Sequence, residues 1–315
     1  DWSSDVCSSD LTLIYGLSRY WFGGASASGG GRATMSRETK MLPGVLGWLG
    51  SGVFALICLL AVIPHLGVVL LSFSTDWYGT VFPQSLTLSH YQAALGHDLT
   101  LSSIANSLKY SGLALVLALF LGTGVAYVNV RTRIWGRQFL DLMAMLPLAV
   151  PGIVVAFGYL AMTRPGQPFD WLILGEDPLL LLVIAYAVRR LPYVVRSASA
   201  GFQQVSPMLE EAAQNLGATP WRALWRVTLP LVAPNLLAGC LLAFAFAMLE
   251  GSDSMILAQQ AAHFPITKAI YSLILSLGNG PQIASALGVW AMIFLTITIV
   301  GAGILLGKKL GALFR

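Results

Sequence analysis

Six long apolar runs, separated by short polar stretches, occupy most of the chain from residue 46 onward. They cover residues 46–73, 104–130, 140–162, 179–195, 231–249 and 283–306. A bilayer core of about 30 Å is crossed by roughly 20 helical residues, and a segment in lipid must satisfy its own backbone hydrogen bonds. The pattern therefore predicts six transmembrane helices. The fourth run is the shortest and carries Arg189 and Arg190 near its end, so we expect these arginines at the cytoplasmic boundary.

The composition is typical of a membrane protein. Hydrophobic residues make up 56% of the 315 residues and charged residues 10%, whereas a soluble domain carries roughly 25% charged residues. Membrane proteins gather basic residues on the cytoplasmic side, which explains the net charge of +4 without a nucleic-acid partner. The sequence thus predicts an all-α integral membrane protein in contact with lipid.

The basic residues also predict an orientation. With the N-terminus inside, all Lys and Arg residues except Lys109, Arg164 and Lys268 fall in cytoplasmic segments or at cytoplasmic span ends. The positive-inside rule favours this arrangement. It places the polar stretch between the fourth and fifth runs in the cytoplasm.

That polar stretch, residues 206–230, predicts a helix, a tight turn and a second helix. Ser206 followed by Pro207 is typical of a helix start. Gly217 is expected to end the first helix in a left-handed conformation. Thr219 then starts a second short helix, which Pro230 is expected to bend or end.

The same stretch resembles the EAA loop of the permease subunits of binding-protein-dependent ABC importers. The family pattern is Glu-Ala-Ala, three residues, Gly, nine residues, Ile, one residue and Leu-Pro. This chain has the pattern at the family spacing, with Val in place of Ile, in Glu211, Ala212, Ala213, Gly217, Val227, Leu229 and Pro230. The resemblance implies a MetI-like permease fold of six transmembrane helices with a cytoplasmic helix-turn-helix that docks into a cleft on an ATPase subunit. We call residues 206–230 the coupling loop. A plain amphipathic hairpin resting on the membrane surface is the alternative.

The resemblance covers roughly residues 46 to 315 and implies a function and a set of partners. It implies a permease subunit of the bacterial cytoplasmic (inner) membrane that works with an ATPase subunit, a periplasmic or lipoprotein substrate-binding protein, and a second six-span permease half. The amino-acid sequences of residues 77–83 and 145–152 are most similar to those of ferric-iron permeases, which implies ferric iron as the substrate. Relatives that handle 2-aminoethylphosphonate, polyamines, thiamine or sulfate share the EAA loop, so these substrates stay open.

Two groups of residues are candidates for the translocation path. Pro147, Pro151 and Gly152 weaken the helix near the middle of the third run, and broken helices often line transport paths. A packing kink is the alternative. Glu250 and Asp253 follow the fifth run at the predicted outer mouth, where acidic groups would attract a cation. A solvated helix end is the alternative for these two residues.

The sequence shows no catalytic constellation. Residues 303–309, Gly-Ile-Leu-Leu-Gly-Lys-Lys, lack the spacing and the Ser or Thr of a phosphate-binding loop. We therefore expect no enzymatic activity, cofactor or metal site in this chain, and we expect ATP hydrolysis in a partner. An ion-coupled secondary transporter would need ionisable groups at span centres. The sequence suggests none there, since Asp141 falls near a cytoplasmic end. A structural scaffold would leave the EAA spacing unexplained.

The first 45 residues are set apart from the permease domain. Residues 1–11 resemble the translation of a DNA-sequencing adapter and are treated as an artefact. Residues 12–45 resemble the end of a preceding span followed by a Gly/Ser-rich linker. This beginning is similar to the junction in ferric-iron permeases whose two six-span halves are fused. It predicts that the chain is the second half of such a permease, with a single six-span subunit as the alternative.

Overall fold

The computed structural model describes residues 44–313, except for positions 76, 78 and 174–176. The predicted artefact at residues 1–11 lies outside the described residues, as does all but the end of the 12–45 segment. Those two interpretations stay predictions.

Helices dominate the described residues. The five long ones are α1 (Val45–Phe73), α3 (Asp98–Arg131), α6 (Leu179–Gln204), α9 (Leu229–Met248) and α12 (Gly280–Leu313). Seven shorter ones are α2 (Ser89–Gly96), α4 (Arg137–Met145), α5 (Gly152–Met162), α7 (Met208–Asn215), α8 (Pro220–Ala223), α10 (Ser252–Leu257) and α11 (Ile266–Ile274). Single 3₁₀ turns occur at Leu146–Leu148, Asp170–Leu172 and Ala261–His263, and a π-helical turn, Leu224–Thr228, joins α8 to α9.

Four helical stretches are long and apolar enough to cross a membrane: Gly47–Phe73, Asp98–Arg131, Pro220–Met248 and Gly280–Gly301. The pair Arg137–Leu148 and Gly152–Met162 meets the same requirement together, but its two parts are bent by 102°. The described residues therefore hold four such spans, or five if the bent pair is one span. The predicted fourth run forms α6, which continues to Gln204 and is too polar to join this group.

Helix α1 carries its apolar side chains outward. Trp48 is 82% exposed and Phe54 is 70% exposed, and many neighbours are similar. Lipid tails are as apolar as these side chains, so the exposure carries no cost in a bilayer. Along one side α1 lies against α12. The rest of its surface is suited to lipid or to another membrane helix.

Helix α6 lies at the centre of the bundle and runs parallel to α3. Tyr186 contacts Tyr110 with ring centroids 6.5 Å apart, and further along both helices Phe202 contacts Tyr127 at 5.7 Å. Because residue numbers rise together along the two helices, each level of α6 can be assigned to a level of α3. The tyrosine pair belongs to a buried core that is otherwise built largely from alanine, leucine and valine.

Helix α9 packs on the other side of α6 and runs antiparallel to it. Tyr193 stacks on Phe246 with ring centroids 5.0 Å apart. Lower down, a Cβ atom at Gly239 would lie 2.6 Å from the Ser197 Cβ, so only glycine permits the observed approach of the two backbones. Small residues at helix contacts are characteristic of packing in membranes, where close van der Waals contact holds helices together.

Candidate functional site

The coupling loop begins with the capped helix that the sequence predicts. Helix α7 starts at Met208, whose backbone N–H donates to the Ser206 hydroxyl at 3.4 Å. Helix α8 starts at Pro220, and the Thr219 hydroxyl accepts from the backbone N–H of Arg222 at 3.3 Å. These caps satisfy donors that would otherwise be unpaired at a helix start.

Gly217 ends α7 in the predicted left-handed conformation, with φ of 88°. Its N–H donates to the Gln214 carbonyl at 2.9 Å, and the next N–H, of Ala218, donates to the Ala213 carbonyl at 3.0 Å. This pair of bonds is a Schellman motif, which requires a left-handed residue where glycine now stands. Gly217 therefore fixes the angle between α7 and the chain that follows.

Of the two predicted roles of Pro230, ending the second helix is wrong, because α8, the π turn and α9 form one continuous helix, Pro220–Met248. In the π turn the N–H of Leu229 donates to the Leu224 carbonyl, five residues back. A proline ring would clash with the carbonyl four residues earlier in a regular α-helix, and a wider turn relieves that clash. The coupling loop is thus a short helix, a turn and the N-terminal extension of a span.

Glu210, which the family pattern does not include, holds the coupling loop to the bundle. Its carboxylate lies 3.4 Å from the Arg131 Nε at the end of α3 and accepts from the Thr228 hydroxyl at 2.8 Å. Arg131 in turn donates to the Val205 carbonyl at 2.8 Å. The side chains of Arg131 and Glu210 are only 8% and 14% exposed. The only hint in the sequence is a second acidic residue in front of the motif.

The motif residues themselves face outward. Glu211 and Ala212 are exposed, and Ala213, Gly217 and Val227 line a shallow hollow of about 330 Å³ between α7 and the π turn. The hollow is also lined by Leu216, which is 90% exposed, and by the exposed Arg222 and Arg226. A concave site with both apolar and basic side chains, beside an anchored helix, is suited to receive another protein. The remaining motif residues, Leu229 and Pro230, lie at the start of α9.

The predicted weak point in the third run is a full break. Pro147 lies in the 3₁₀ turn, Pro151 precedes α5 as its N-cap, and α5 leaves at 102° to the preceding segment. We call residues 149–152, which include the first residue of α5, the helix break. Prolines remove two backbone donors within five residues, and an angle of this size is far larger than a packing kink.

Arg189 and Arg190 do not lie at the cytoplasmic boundary, so that prediction is wrong. Arg189 follows Leu179 by ten residues and precedes Gln204 by fifteen along α6. The α3 contacts bracket the same position, because Arg189 lies between Tyr186, at the level of Tyr110, and Phe202, at the level of Tyr127. The two arginines therefore lie deep in the bundle, and the apolar run appeared to end early because they interrupt it.

Glu250 and Asp253 also lie elsewhere than predicted. They are 4% and 0% exposed, so they are neither a solvent-facing cation attractor nor a solvated helix end. Asp253 accepts two hydrogen bonds from Arg189, at 3.0 and 3.1 Å, and Glu250 pairs with Arg190 and lies 3.5 Å from Arg189. We call these four residues the charge cluster. These four residues are ionisable groups buried inside the bundle, and the sequence suggested that no such groups were present at span centres.

The charge cluster touches the helix break directly. A Cβ atom at Gly152 would lie 2.7 Å from the Ser252 Cβ and 2.8 Å from the Arg189 Nη2, closer than real Cβ atoms approach other atoms. Three of the predicted path residues, Gly152, Glu250 and Asp253, are therefore brought together around Arg189. Pro151 directly precedes Gly152 in the chain, and Pro147 lies at the preceding turn. Sequence reasoning grouped the prolines and the acids separately, because the arginines that join them belong to another helix.

The comparisons with known proteins fit this geometry. Residues 114–302 match the family described as "Binding-protein-dependent transport system inner membrane component". The chain belongs to this family. The match includes the coupling loop, the helix break and the charge cluster, so all three are parts of the family domain.

Relatives within the permease family carry several names. The chain is 33% identical over 180 residues to a putative ferric transport system permease protein, FbpB 1, of Haemophilus influenzae, covering 56% of this chain and 27% of that protein. It is 37% identical over 147 residues to the molybdenum transport system permease protein ModB of Escherichia coli K12, covering 44% and 63%. It is 28% identical over 249 residues to a putative 2-aminoethylphosphonate transport system permease protein, PhnV, of Salmonella typhimurium, covering 79% and 87%. The chain thus spans about a quarter of the ferric relative.

Solved structures support the fold. A chain of a bacterial ABC transporter involved in the import of alginate has a TM-score of 0.63 at 21% identity, covering 80% of this chain and 93% of that one. A chain of the MetNI methionine ABC transporter in an inward-facing conformation has a TM-score of 0.52 at 13% identity, covering 67% and 95%. At these identities the likeness establishes an ABC permease fold, as the resemblance implied.

Proposed function

We propose that this chain forms part of the translocation path of an ATP-driven importer in the bacterial cytoplasmic membrane and passes the motion of an ATPase subunit to that path. The observation that carries the proposal is the coupling loop. It presents Glu211, Ala212 and the hollow beside them to the cytoplasm, while Glu210 and Arg131 anchor its base to α3. A displacement of the loop would therefore move α3 and, through the continuous helix Pro220–Met248, α9.

The partners in this proposal are an ATPase subunit, a substrate-binding protein on the outer side and a second six-span half. The chain contributes no bond-making chemistry, and ATP hydrolysis belongs to the partner. The family description supports this division, since it names an inner membrane component of a binding-protein-dependent system. The sequence argument against an ion-coupled secondary transporter was the lack of ionisable groups at span centres, and the buried charge cluster removes that argument. Membership of the family is therefore the reason to prefer an ATP-driven importer.

The experiment is reconstitution. The chain, with the ATPase and any second permease half encoded beside its gene, is placed in lipid nanodiscs, and ATP hydrolysis is measured with and without the neighbouring binding protein. We expect hydrolysis to rise when the loaded binding protein is added. A rate of ATP hydrolysis that does not change when the binding protein is added, together with uptake driven by a proton or sodium gradient alone, would contradict the proposal.

We propose ferric iron as the substrate, supported by the similarity to the Haemophilus influenzae permease over 180 residues. The similarities to permeases named for molybdenum and for 2-aminoethylphosphonate support other substrates. Titration of the neighbouring binding protein with ferric ion, molybdate and 2-aminoethylphosphonate separates them. Tight binding of ferric ion alone is the expected result, and tight binding of either anion instead would overturn the ferric assignment.

A further inference from the structure

We infer that the charge cluster is a lock that holds α10 against the helix break, and that this lock opens and recloses in each transport cycle. The inference rests on the proposed function, because only a transporter needs two arrangements of these helices. It adds Arg189 and Arg190 as positioning residues that neither the family pattern nor the sequence identified.

The depth of the cluster argues for a role beyond stability. Taking charges out of water is costly, and well-packed apolar residues of similar volume are often as stable as a buried ion pair or more so. Ionisable groups inside membrane domains are accordingly rare and are found where function requires them. Here the side chains of Arg189, Arg190, Glu250 and Asp253 are all 13% exposed or less.

The connectivity of the cluster argues for a lock between separate elements. Arg189 and Arg190 belong to α6, the central helix, whereas Glu250 lies in the segment that joins α9 to α10 and Asp253 lies in the first turn of α10. Glu250 also accepts from the backbone N–H of Ser252 at 3.0 Å, which fixes the start of α10. Ser252 in turn packs so closely against Gly152 at the break that a Cβ atom there would have no room. One set of ion pairs therefore sets the relative position of α6, α10 and α5.

The pairing is strong at one arginine and incomplete at the other. Arg189 meets Asp253 through two parallel bonds, the geometry that gives arginine–carboxylate pairs their strength. Arg190 pairs with Glu250 through one nitrogen, and its buried Nε–H has no acceptor among the described residues. An unpaired buried donor is unfavourable, so this arrangement is not optimal for every member of the cluster. That is the property expected of a lock with a second accessible state.

The test is a pair of variants in the assembled transporter with its ATPase and binding protein. Arg189→Met with Asp253→Leu removes the doubly hydrogen-bonded pair of the lock, keeps the Arg190–Glu250 pair and leaves no charge of the removed pair unmatched. We expect a folded, assembled complex in which stimulation of ATP hydrolysis by the binding protein falls at least about fivefold, the lower range of coupling between sites. Uptake per ATP hydrolysed should fall with it. Stimulation and uptake equal to the unmodified transporter would overturn the lock.

If the Arg189→Met, Asp253→Leu variant does not assemble, Arg189→Lys tests the lock instead. Lysine keeps the charge but cannot make the two parallel bonds. We expect reduced stimulation in a folded complex, and unchanged stimulation would again overturn the lock. The matched control is Arg196→Met with Asp141→Leu, which removes a more exposed ion pair of 3.4 Å between α6 and α4, away from the break. Equal loss of stimulation in this control would also overturn the lock.

Failure of the lock and failure of the proposed function give different results. If the unmodified chain shows no stimulation by the binding protein, the proposed function fails. If the unmodified chain is stimulated and the lock variants match it, the proposed function stands and only the lock is lost.

Discussion

The Arg131 guanidinium at the end of α3 lies 3.4 Å from the carboxylate of Glu210 in the coupling loop, and both side chains are largely buried. This contact joins the surface that we propose to bind the ATPase to a helix of the bundle. Its neighbour Glu211, the acidic residue of the EAA pattern, is exposed. The two glutamates therefore differ: one anchors the loop, and the other is exposed to the ATPase that we propose as the partner.

Replacing Glu210 should loosen the loop without unfolding the bundle. Glu210→Ala leaves Arg131 buried without its carboxylate, and breaking a buried pair costs about 3–5 kcal/mol. We expect the cost to appear as local opening, so trypsin should cleave after the exposed Arg222 and Arg226 faster than in the unmodified protein. Glu211→Ala is the matched control and should leave the cleavage rate unchanged. Equal cleavage rates in both variants would contradict the anchoring role.

Replacing Glu211 should instead weaken the partner interaction. Glu211→Lys reverses an exposed charge near the start of α7, where a carboxylate favours the helix dipole. We expect near-normal expression and membrane insertion, with a sharp reduction in co-purified ATPase. Retention of the ATPase at the normal ratio would remove Glu211 from the interface.

Gly217 should tolerate no side chain. At φ of 88° any residue with a Cβ costs about 1 kcal/mol or more, and the cost falls on the angle between α7 and α8. Gly217→Val should therefore leave insertion near normal and reduce ATPase binding and uptake. Gly124→Ala is the control, since Gly124 lies within α3 with open space around its Cα. Normal ATPase binding by Gly217→Val would show that the turn geometry is not needed for docking.

Gly152 should be equally sensitive for a different reason. An alanine Cβ would lie 2.7 Å from the Ser252 Cβ and 2.8 Å from the Arg189 Nη2, so either α10 or Arg189 must move. We expect Gly152→Ala to lower uptake at normal expression. Gly158→Ala, on the same helix with nothing within 4 Å, should transport normally. If both variants transport alike, the contact at the break has no influence on the path.

Asp253→Asn should destabilise the protein more than the removal of both partners does. The single change leaves the Arg189 charge buried without its carboxylate, whereas Arg189→Met with Asp253→Leu leaves none. Thermal unfolding in detergent should show a larger fall in Tm for the single variant. Because a buried pair is screened little by salt, the difference should persist at high ionic strength. A smaller fall for the single variant would mean that the pair is not a coupled buried unit.

The sequence predicted what depends on local pattern. The apolar runs located four spans and the bent pair, but not the character of the fourth run, which forms the more polar α6. Gly217, with Ser206 and Thr219, located the turn and the helix starts, because caps and left-handed glycines act within a few residues. The prolines located the helix break but not its angle of 102°, which depends on the packing of α5 against α10. The charge cluster could not be predicted either, because it also depends on how separate helices pack. Arg189 and Asp253 are 64 residues apart in the chain, and neither residue alone indicates a partner.

The most direct test of the central claim is photo-crosslinking from the coupling loop to the ATPase. A photoreactive amino acid is placed at the exposed Ala212, and a second variant carries it at Val116, which is 67% exposed on α3. Both complexes are purified with the ATPase bound and then irradiated. We predict a covalent product with the ATPase from position 212 and none from position 116. An intact complex that yields no ATPase product from position 212 would contradict the account.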